Sequence, residues 1–355
     1  MNVLTSYIVR EILKGAFIAL ILLLTLFNLF TFSDELGDLG KGGYGLKQIF
    51  YYLALTSPTV FYELMPASAL LGSLFILGAM GNNHELIAMR AAGLSVFGII
   101  KAVLLAGVVL VAISILVGEL VAPDAQKQAQ LIKATIDGKK VMLNDLYGLW
   151  LRENKRFINV RQIQDNGNLV DISIYDIDDQ QHLYQTTHAE QAVFLGNQQW
   201  RLEKIKQSLI STEQMQSITR DEQPLKSAIA PDLLKLAVVN PDNLSFIDLA
   251  KYVNFLKGNH QKSQKFELAL WGRVVNPLVT FIMLLVSAPF VIGIKRGISS
   301  GGRMLIGVVI GMGFNIIDKI VGHLGLIYEL NPPLIAFTPS LIILTLAIYA
   351  IRRVQ

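Results

Sequence analysis

A hydrophilic stretch from about residue 124 to 265 interrupts an otherwise strongly apolar chain, and no other feature restricts the fold as much. On each side of it the sequence breaks into three runs of bilayer length. A helix needs roughly 20 mostly apolar residues to cross hydrocarbon, and residues 15–32, 50–81, 97–121, 268–294, 305–327 and 334–351 all qualify. Half of the chain (52%) is hydrophobic and 16% is charged, against about one quarter charged in soluble domains. The sequence therefore predicts an α-helical polytopic membrane protein with six transmembrane helices and one inserted domain. Residues 1–123 carry the first three helices, 124–265 the insert and 266–355 the last three.

Several function classes drop out early. There are no cysteines, which removes disulfide frameworks and thiolate chemistry. A net charge of +4 without a basic, aromatic-interleaved stripe leaves no electrostatic footprint for nucleic acid. His84, His182, His188, His260 and His323 lack metal-ligand spacing, so no metal site is expected. Gly297-Ile298-Ser299-Ser300-Gly301-Gly302-Arg303 lacks the lysine of a phosphate-binding loop and reads as a cytoplasmic turn. No nucleophile elbow or zinc-protease helix is present, so no catalytic residue is predicted. The first apolar run, preceded by Arg10 and Lys14, resembles a signal peptide but is too long and ends without a small-x-small site; it reads as the first span.

Orientation follows from the short loops. Arg10, Lys14, Arg90, Lys295, Arg296, Arg303, Arg352 and Arg353 fall on one side, whereas Lys41 and Lys47 on the other are offset by Asp34, Glu35 and Asp38. Both termini are thus expected in the cytoplasm and the insert outside, because long domains translocate regardless of their charge.

The insert reads as strands at 147–152, 157–164, 170–177, 188–195 and 200–209, rich in β-branched and aromatic residues. Val170, Ile172 and Ile174 alternate with Asp171, Ser173 and Tyr175. Turn chemistry lies at Asp165-Asn166-Gly167-Asn168 and Gly196-Asn197. An antiparallel sandwich or open barrel follows. Ser245-Phe246-Ile247-Asp248 opens an amphipathic connecting helix over about 245–257, with Leu249, Tyr252, Val253 and Leu256 on its apolar face.

Between the second and third spans, residues 83–93 predict a two-turn cytoplasmic helix capped by Asn82 or Asn83 and ended by Gly93. It is too short to persist alone in water and must dock on something. Glu85 lies in its first turn. Two readings are open from spacing: a capping charge, or a carboxylate that meets an arginine of a partner.

Span five holds Asn315, Asp318 and Lys319, with Lys319 about 24 Å along the helix from Arg303. Lys319 is read as a headgroup contact or a snorkelling cation, and Asp318 as a structural contact. Gly307 and Gly311 have the small-xxx-small spacing that lets helices approach closely. Three classes fit this layout: a permease subunit driven by a separate ATPase, a secondary transporter with inverted three-helix repeats, and a membrane-anchored periplasmic assembly or sensor protein.

Glu85-Leu86-Ile87-Ala88-Met89-Arg90-Ala91-Ala92-Gly93, preceded by Met65-Pro66-Ala67-Ser68-Ala69-Leu70-Leu71-Gly72, resembles the coupling segment of the lipopolysaccharide-export ABC permeases, the LptF/LptG family. Gly118-Glu119-Leu120-Val121-Ala122-Pro123 is similar too, and the match runs through essentially the whole chain. Gly148-Leu149-Trp150, Asp318, Leu324 to Tyr328, Asn331-Pro332-Pro333 and Pro339-Ser340 resemble the G-type more than the F-type members. The resemblance implies a non-catalytic subunit of a Gram-negative inner-membrane exporter with a jellyroll-like periplasmic β domain. It implies a heterodimer with an F-type permease subunit, two copies of a cytoplasmic ATPase that uses ATP and Mg, and a single-span periplasmic bridge protein. The cargo would be lipopolysaccharide, and no cofactor would be bound by this chain. Glu85, with Leu86, Met89 and Arg90, would meet the ATPase; Lys41, Lys47 and Lys319 are the headgroup candidates. Spans one and five would form lateral gates, making Phe27, Phe30, Gly307, Gly311, Phe314 and Ile317 the gate candidates. Members of the family often carry a lysine-rich stretch near the outer end of span one; this chain has only Lys41 and Lys47 there.

Overall fold

The computed structural model describes residues 3–41, 44–136, 148–164, 167–211, 214–227, 229–292 and 300–354. Asp165, Asn166 and the loop cations Lys295 and Arg296 lie outside the described residues. The chain divides into two compact units, one of residues 1–39, 44–129 and 264–355, the other of 40–43 and 130–263.

The first unit is helical: α1 (Val3–Glu35), α2 (Leu46–Asn82), α3 (Glu85–Ala91), α4 (Val96–Leu116), α8 (Gln264–Ile292), α9 (Ser300–Ile327) and α10 (Pro332–Val354). Among the described residues, six helices are long and apolar enough to cross a membrane. Some outrun their apolar cores. α1 starts at Val3, about 18 Å before the apolar run at 1.5 Å per residue, because Ile8 and Ile12 find buried partners there. α2 contains Pro58 and Pro66; just before Pro58, the Thr56 and Ser57 hydroxyls donate to the carbonyls of Tyr52 and Leu53, which satisfies those hydroxyls inside an apolar helix.

Helix packing depends on missing side chains. A Cβ at Gly72 of α2 would lie 2.3 Å from the backbone nitrogen of Ala16, so α1 and α2 cross with their backbones in contact. Glycine at this crossing is a steric requirement. The apolar cluster around it joins Ile8, Ile12, Ala16 and Leu20 to Met65, Ala69, Leu77 and Met80. A second cluster seats Leu70 and Leu74 of α2 against Val275, Val279, Ile282 and Met283 of α8 and Ala336 and Ala347 of α10.

Span three ends in a wide π turn, Val117–Val121, before continuing as α5 (Ala122–Ile136). A π turn displaces carbonyls from the regular ladder, and here the Gly118 carbonyl accepts a hydrogen bond from Arg273 Nη1 at 3.3 Å. Arg273 is almost fully buried, 3.8 Å from Glu119 and over the Tyr62 ring; the Tyr62 hydroxyl donates to the Arg273 carbonyl. Beyond span one, the buried Tyr44 donates to the buried Glu35 at 2.9 Å. Burial, then that carboxylate, raise the Tyr44 pKa.

The second unit holds one antiparallel sheet in chain order: β1 (Leu149–Glu153), β2 (Arg156–Ile163), β3 (Leu169–Ile177), β4 (Leu183–Gly196), β5 (Gln199–Ile210) and β6 (Met215–Lys226). β6 is a strand that hydrophobic patterning misses, since as an edge strand it is polar and largely exposed, and Pro224 sits within it. Alternation in β3 also differs from the expected pattern. Asp171 adopts φ +57, so Leu169 joins Ile172 and Ile174 in the core while Val170 is only partly covered. The slip is part of a crease across the sheet. Arg161, Asp171, Glu190, Lys204 and Asp221 form one transverse row that drops out of all four pairing registers, and Lys204 is also left-handed (φ +53). Charges along the row pair across strands, Arg161 with Asp171 and Lys204 with Glu190. Lys204 lowers the Glu190 pKa, first through its hydrogen bond and then its charge.

Leu151, Val160, Ile172, Trp200, Leu202 and Ile205 fill the sheet's apolar face. Ile229 and Leu234, the latter on α6 (Pro231–Val238), close it, and Trp200 Nε1 donates to the Ile229 carbonyl at 2.9 Å. The void left inside is only about 20 Å³. α7 (Phe246–Gly258) is capped by Ser245, whose hydroxyl accepts from the Asp248 amide, and buries Leu249, Tyr252, Val253 and Leu256. Burial pushes the Tyr252 pKa up to about 12. Phe255 packs on the sheet core, so this connector belongs to the β domain's own packing.

Candidate functional site

α3 is a two-turn helix held at both ends by backbone geometry. The N-cap residue His84 is left-handed (φ 61) and its side chain makes no cap, while the Asn83 side-chain amide donates to Glu85 Oε1 at 3.4 Å. Its end closes with Gly93 at φ +93, where the Gly93 amide donates to the Arg90 carbonyl and the Leu94 amide to the Met89 carbonyl. That is the paired-bond stop that favours glycine, which needs no Cβ room at positive φ.

The helix has two distinct faces. Leu86 and Met89, three residues apart, are buried in the cluster that contains Ile8, Ile12 and Ile99. Ile87, Ala88 and Arg90 are exposed, with Glu85 at their edge. An isolated two-turn helix is unstable, so α3 persists because its apolar side is buried in that cluster of α1, α2 and α4 residues. Of the four residues read together from the sequence, Leu86 and Met89 thus serve the chain's own core, whereas Glu85 and Arg90 remain available to a partner. Ile87, 55% exposed, joins them as an apolar residue with no cover in this chain.

Glu85 is also tied to the amino-terminal helix. Tyr7 Oη donates to Glu85 Oε2 at 3.1 Å across 78 residues of sequence. No local pattern in the sequence signals that contact.

Lys47 is exposed on the first turn of α2, Lys319 is exposed in α9, and Lys41 groups with the β-domain unit. The His323 ring nitrogen Nδ1 lies 2.8 Å from the Lys319 carbonyl. Among the gate candidates, Phe27, Phe30 and Ile317 point outward from the helices and Phe314 is partly buried against the second helical cluster. Gly307 and Gly311 face inward. A Cβ at Gly307 would lie 2.6 Å from Leu74, so this glycine sets the approach of α9 to α2, whereas one at Gly311 would meet Leu70 only at an ordinary 4.0 Å. No group of acidic or histidine side chains suited to a metal occurs among the described residues.

Six spans, one extramembrane β domain between the third and fourth, and a short helix presenting a polar face between the second and third define a polytopic membrane subunit of the permease type. The model of the lipopolysaccharide export system permease LptF/LptG family matches residues 6–353. The chain belongs to that family. It is 29% identical over 353 residues to the lipopolysaccharide export system permease protein LptG of Haemophilus influenzae, with 99% of each chain covered. It is 28% identical over 354 residues to LptG of Escherichia coli K12, covering 99% of this chain and 98% of the relative.

Proposed function

We propose that this chain is a G-type permease subunit of an ABC exporter that takes lipopolysaccharide from the outer leaflet of the inner membrane and passes it to a periplasmic bridge. The family match across residues 6–353 carries this reading. The subunit pairs with an F-type permease and rests on two copies of a cytoplasmic ATPase, which binds the ATP and Mg. Both termini lie in the cytoplasm and the β domain in the periplasm, in keeping with Arg10, Lys14 and Arg90 on one side.

Glu85 and Arg90 on the exposed face of α3, with Ile87 between them, meet the ATPase groove; a carboxylate there takes a bidentate pair with arginine. Lys41, Lys47 and Lys319 supply cations for the phosphorylated headgroup. The outward faces of α1 and α9, with Phe27, Phe30 and Ile317 and the partly buried Phe314 beside them, border the lateral gates together with Gly307 and Gly311, of which Gly307 lets α9 lie close to α2. Support for an unpartnered apolar surface comes from exposed Leu22, Phe30, Leu305 and Val309, each at least 60% accessible.

Substituting Glu85→Ala tests the coupling role. The variant is expected to insert normally while its ATPase association weakens measurably or its export is lost; full association with full export removes Glu85 from the interface. Photocrosslinkers at Lys41, Lys47 and Lys319 are expected to capture lipopolysaccharide, and silence at all three sinks the headgroup assignment.

A further inference from the structure

The amino-terminal extension of α1 is part of the coupling site by geometry. Residues 3–14 continue the first span for about three turns beyond its apolar run. Their inward residues, Ile8 and Ile12, are fully buried in the cluster that seats Leu86 and Met89, with Leu4 and Leu94 at its margin. α3 therefore rides on the end of the first span. Beside that seam Tyr7 donates to one oxygen of Glu85 and the Asn83 amide to the other.

A carboxylate has about four acceptor sites, two on each oxygen. One donor on each oxygen leaves the second sites open for the fork of a guanidinium. Glutamate otherwise surrenders rotamer freedom when it is held in one pose. A phenol already holding it reduces what docking must supply.

We propose that Tyr7 is a positioning residue of the coupling site: its hydroxyl orients Glu85 toward the partner's arginine and links α3 to the cytoplasmic end of the first span. This rests on the reading of Glu85 as the coupling carboxylate. Tyr7 touches the partner only through Glu85. In the free subunit the bond is solvent-exposed and weak, but once the groove excludes water the same bond strengthens. A pull on α3 then reaches α1 through a polar tether as well as through Leu86 and Met89.

The test is a double-mutant cycle in the full permease heterodimer, reading the affinity of the purified ATPase. Tyr7→Phe keeps the ring and deletes only the hydroxyl, so thermal stability should stay at wild type. Affinity should fall about 5-fold in the wild-type background, the net worth of one ordinary hydrogen bond. In the Glu85→Ala background the same substitution should change affinity less than about 1.5-fold, because the acceptor is gone. Equal losses in both backgrounds overturn the proposal, since a merely structural tyrosine would behave that way. Wild-type affinity for Tyr7→Phe alongside a weakened Glu85→Ala also overturns it and leaves the coupling role of Glu85 standing. A Glu85→Ala variant that binds normally removes both.

Discussion

Replacing Gly72 by alanine should part α1 from α2 and loosen everything that hangs on the amino-terminal helix. The added Cβ would lie 2.3 Å from the nitrogen and 2.4 Å from the Cα of Ala16, and 2.4 Å from the carbonyl carbon of Gly15. Unstrained carbon contacts lie at about 3.5–4.0 Å, so the axes must separate by about 1 Å or more. The opposing atoms are backbone and cannot rotate away. A gap of that size forfeits roughly a quarter to a half of the dispersion between facing side chains, here Ile8, Ile12, Ala16 and Leu20 against Met65, Ala69, Leu77 and Met80. Overpacking of this kind costs about 1–3 kcal/mol, partly offset by up to about 1 kcal/mol from alanine's helix propensity. A net loss of roughly 1–2 kcal/mol corresponds to a melting shift of about 3–6 °C for a unit of this size. Detergent-solubilised protein followed by tryptophan fluorescence gives the measurement. Gly272→Ala is the matched control: it is also helical, a Cβ there would meet nothing within 4 Å, and no destabilisation is expected. The chain has no cysteine, so a second readout is available. Asn28→Cys with Ser57→Cys replaces side chains 3.1 Å apart across α1 and α2, and its disulfide should form more slowly when Gly72→Ala is added. A Gly72→Ala protein that melts with wild type and cross-links at the wild-type rate would refute the close crossing.

Arg273→Ala should destabilise the helical unit by about 3 kcal/mol or more, because it withdraws a cation from Glu119 in a largely buried setting; Arg273→Lys should recover only part, since an ammonium lacks the planar face that lies over Tyr62. Gly118→Ala forces a methyl to within 2.3 Å of the Tyr62 ring, and a melting loss that Tyr62→Ala relieves in the double variant is expected; simple additivity would exclude that clash. Tyr252 should make the protein sensitive to alkali. Its folded pKa, pushed up to about 12, lies above the unfolded value of about 10. The contribution is fully present below pH 10 and is lost as pH rises toward 12, amounting to roughly 2–3 kcal/mol at about 1.4 kcal/mol per pH unit. Tyr252→Phe should flatten the melting profile over that interval, and an unchanged slope would show that other groups carry it.

Hydropathy reveals spans because the bilayer imposes a length on them, and the interior of each run carries that signal whatever it packs against. Helix ends carry no such signal. The extension of α1 before residue 15 is visible only as Ile8 and Ile12 one turn apart, a spacing that gains meaning when Leu86 and Met89 arrive from elsewhere in the chain. The strands of the insert were legible where one face is apolar, as at Trp200, Leu202 and Ile205. β6 was not, because an edge strand is selected for polarity and exposure rather than for alternation. Nor was the crease through Asp171 and Lys204 legible, since residues in left-handed conformation there differ in no obvious way from other surface charges.

The same reasoning separates what is readable in α3 from what is not. Two apolar residues three apart state that one side of a short helix is covered, and a carboxylate in its first turn states that the other side is polar. Neither states what covers the first or faces the second. In the folded chain Leu86 and Met89 are buried among residues of α1, α2 and α4, while Ile87 and Arg90 are exposed and Glu85 is half-exposed. On the proposed coupling role, half of the helix surface is already committed internally, and a displacement of α3 would reach the first span through the cluster holding Leu86 and Met89 and through the Tyr7–Glu85 hydrogen bond.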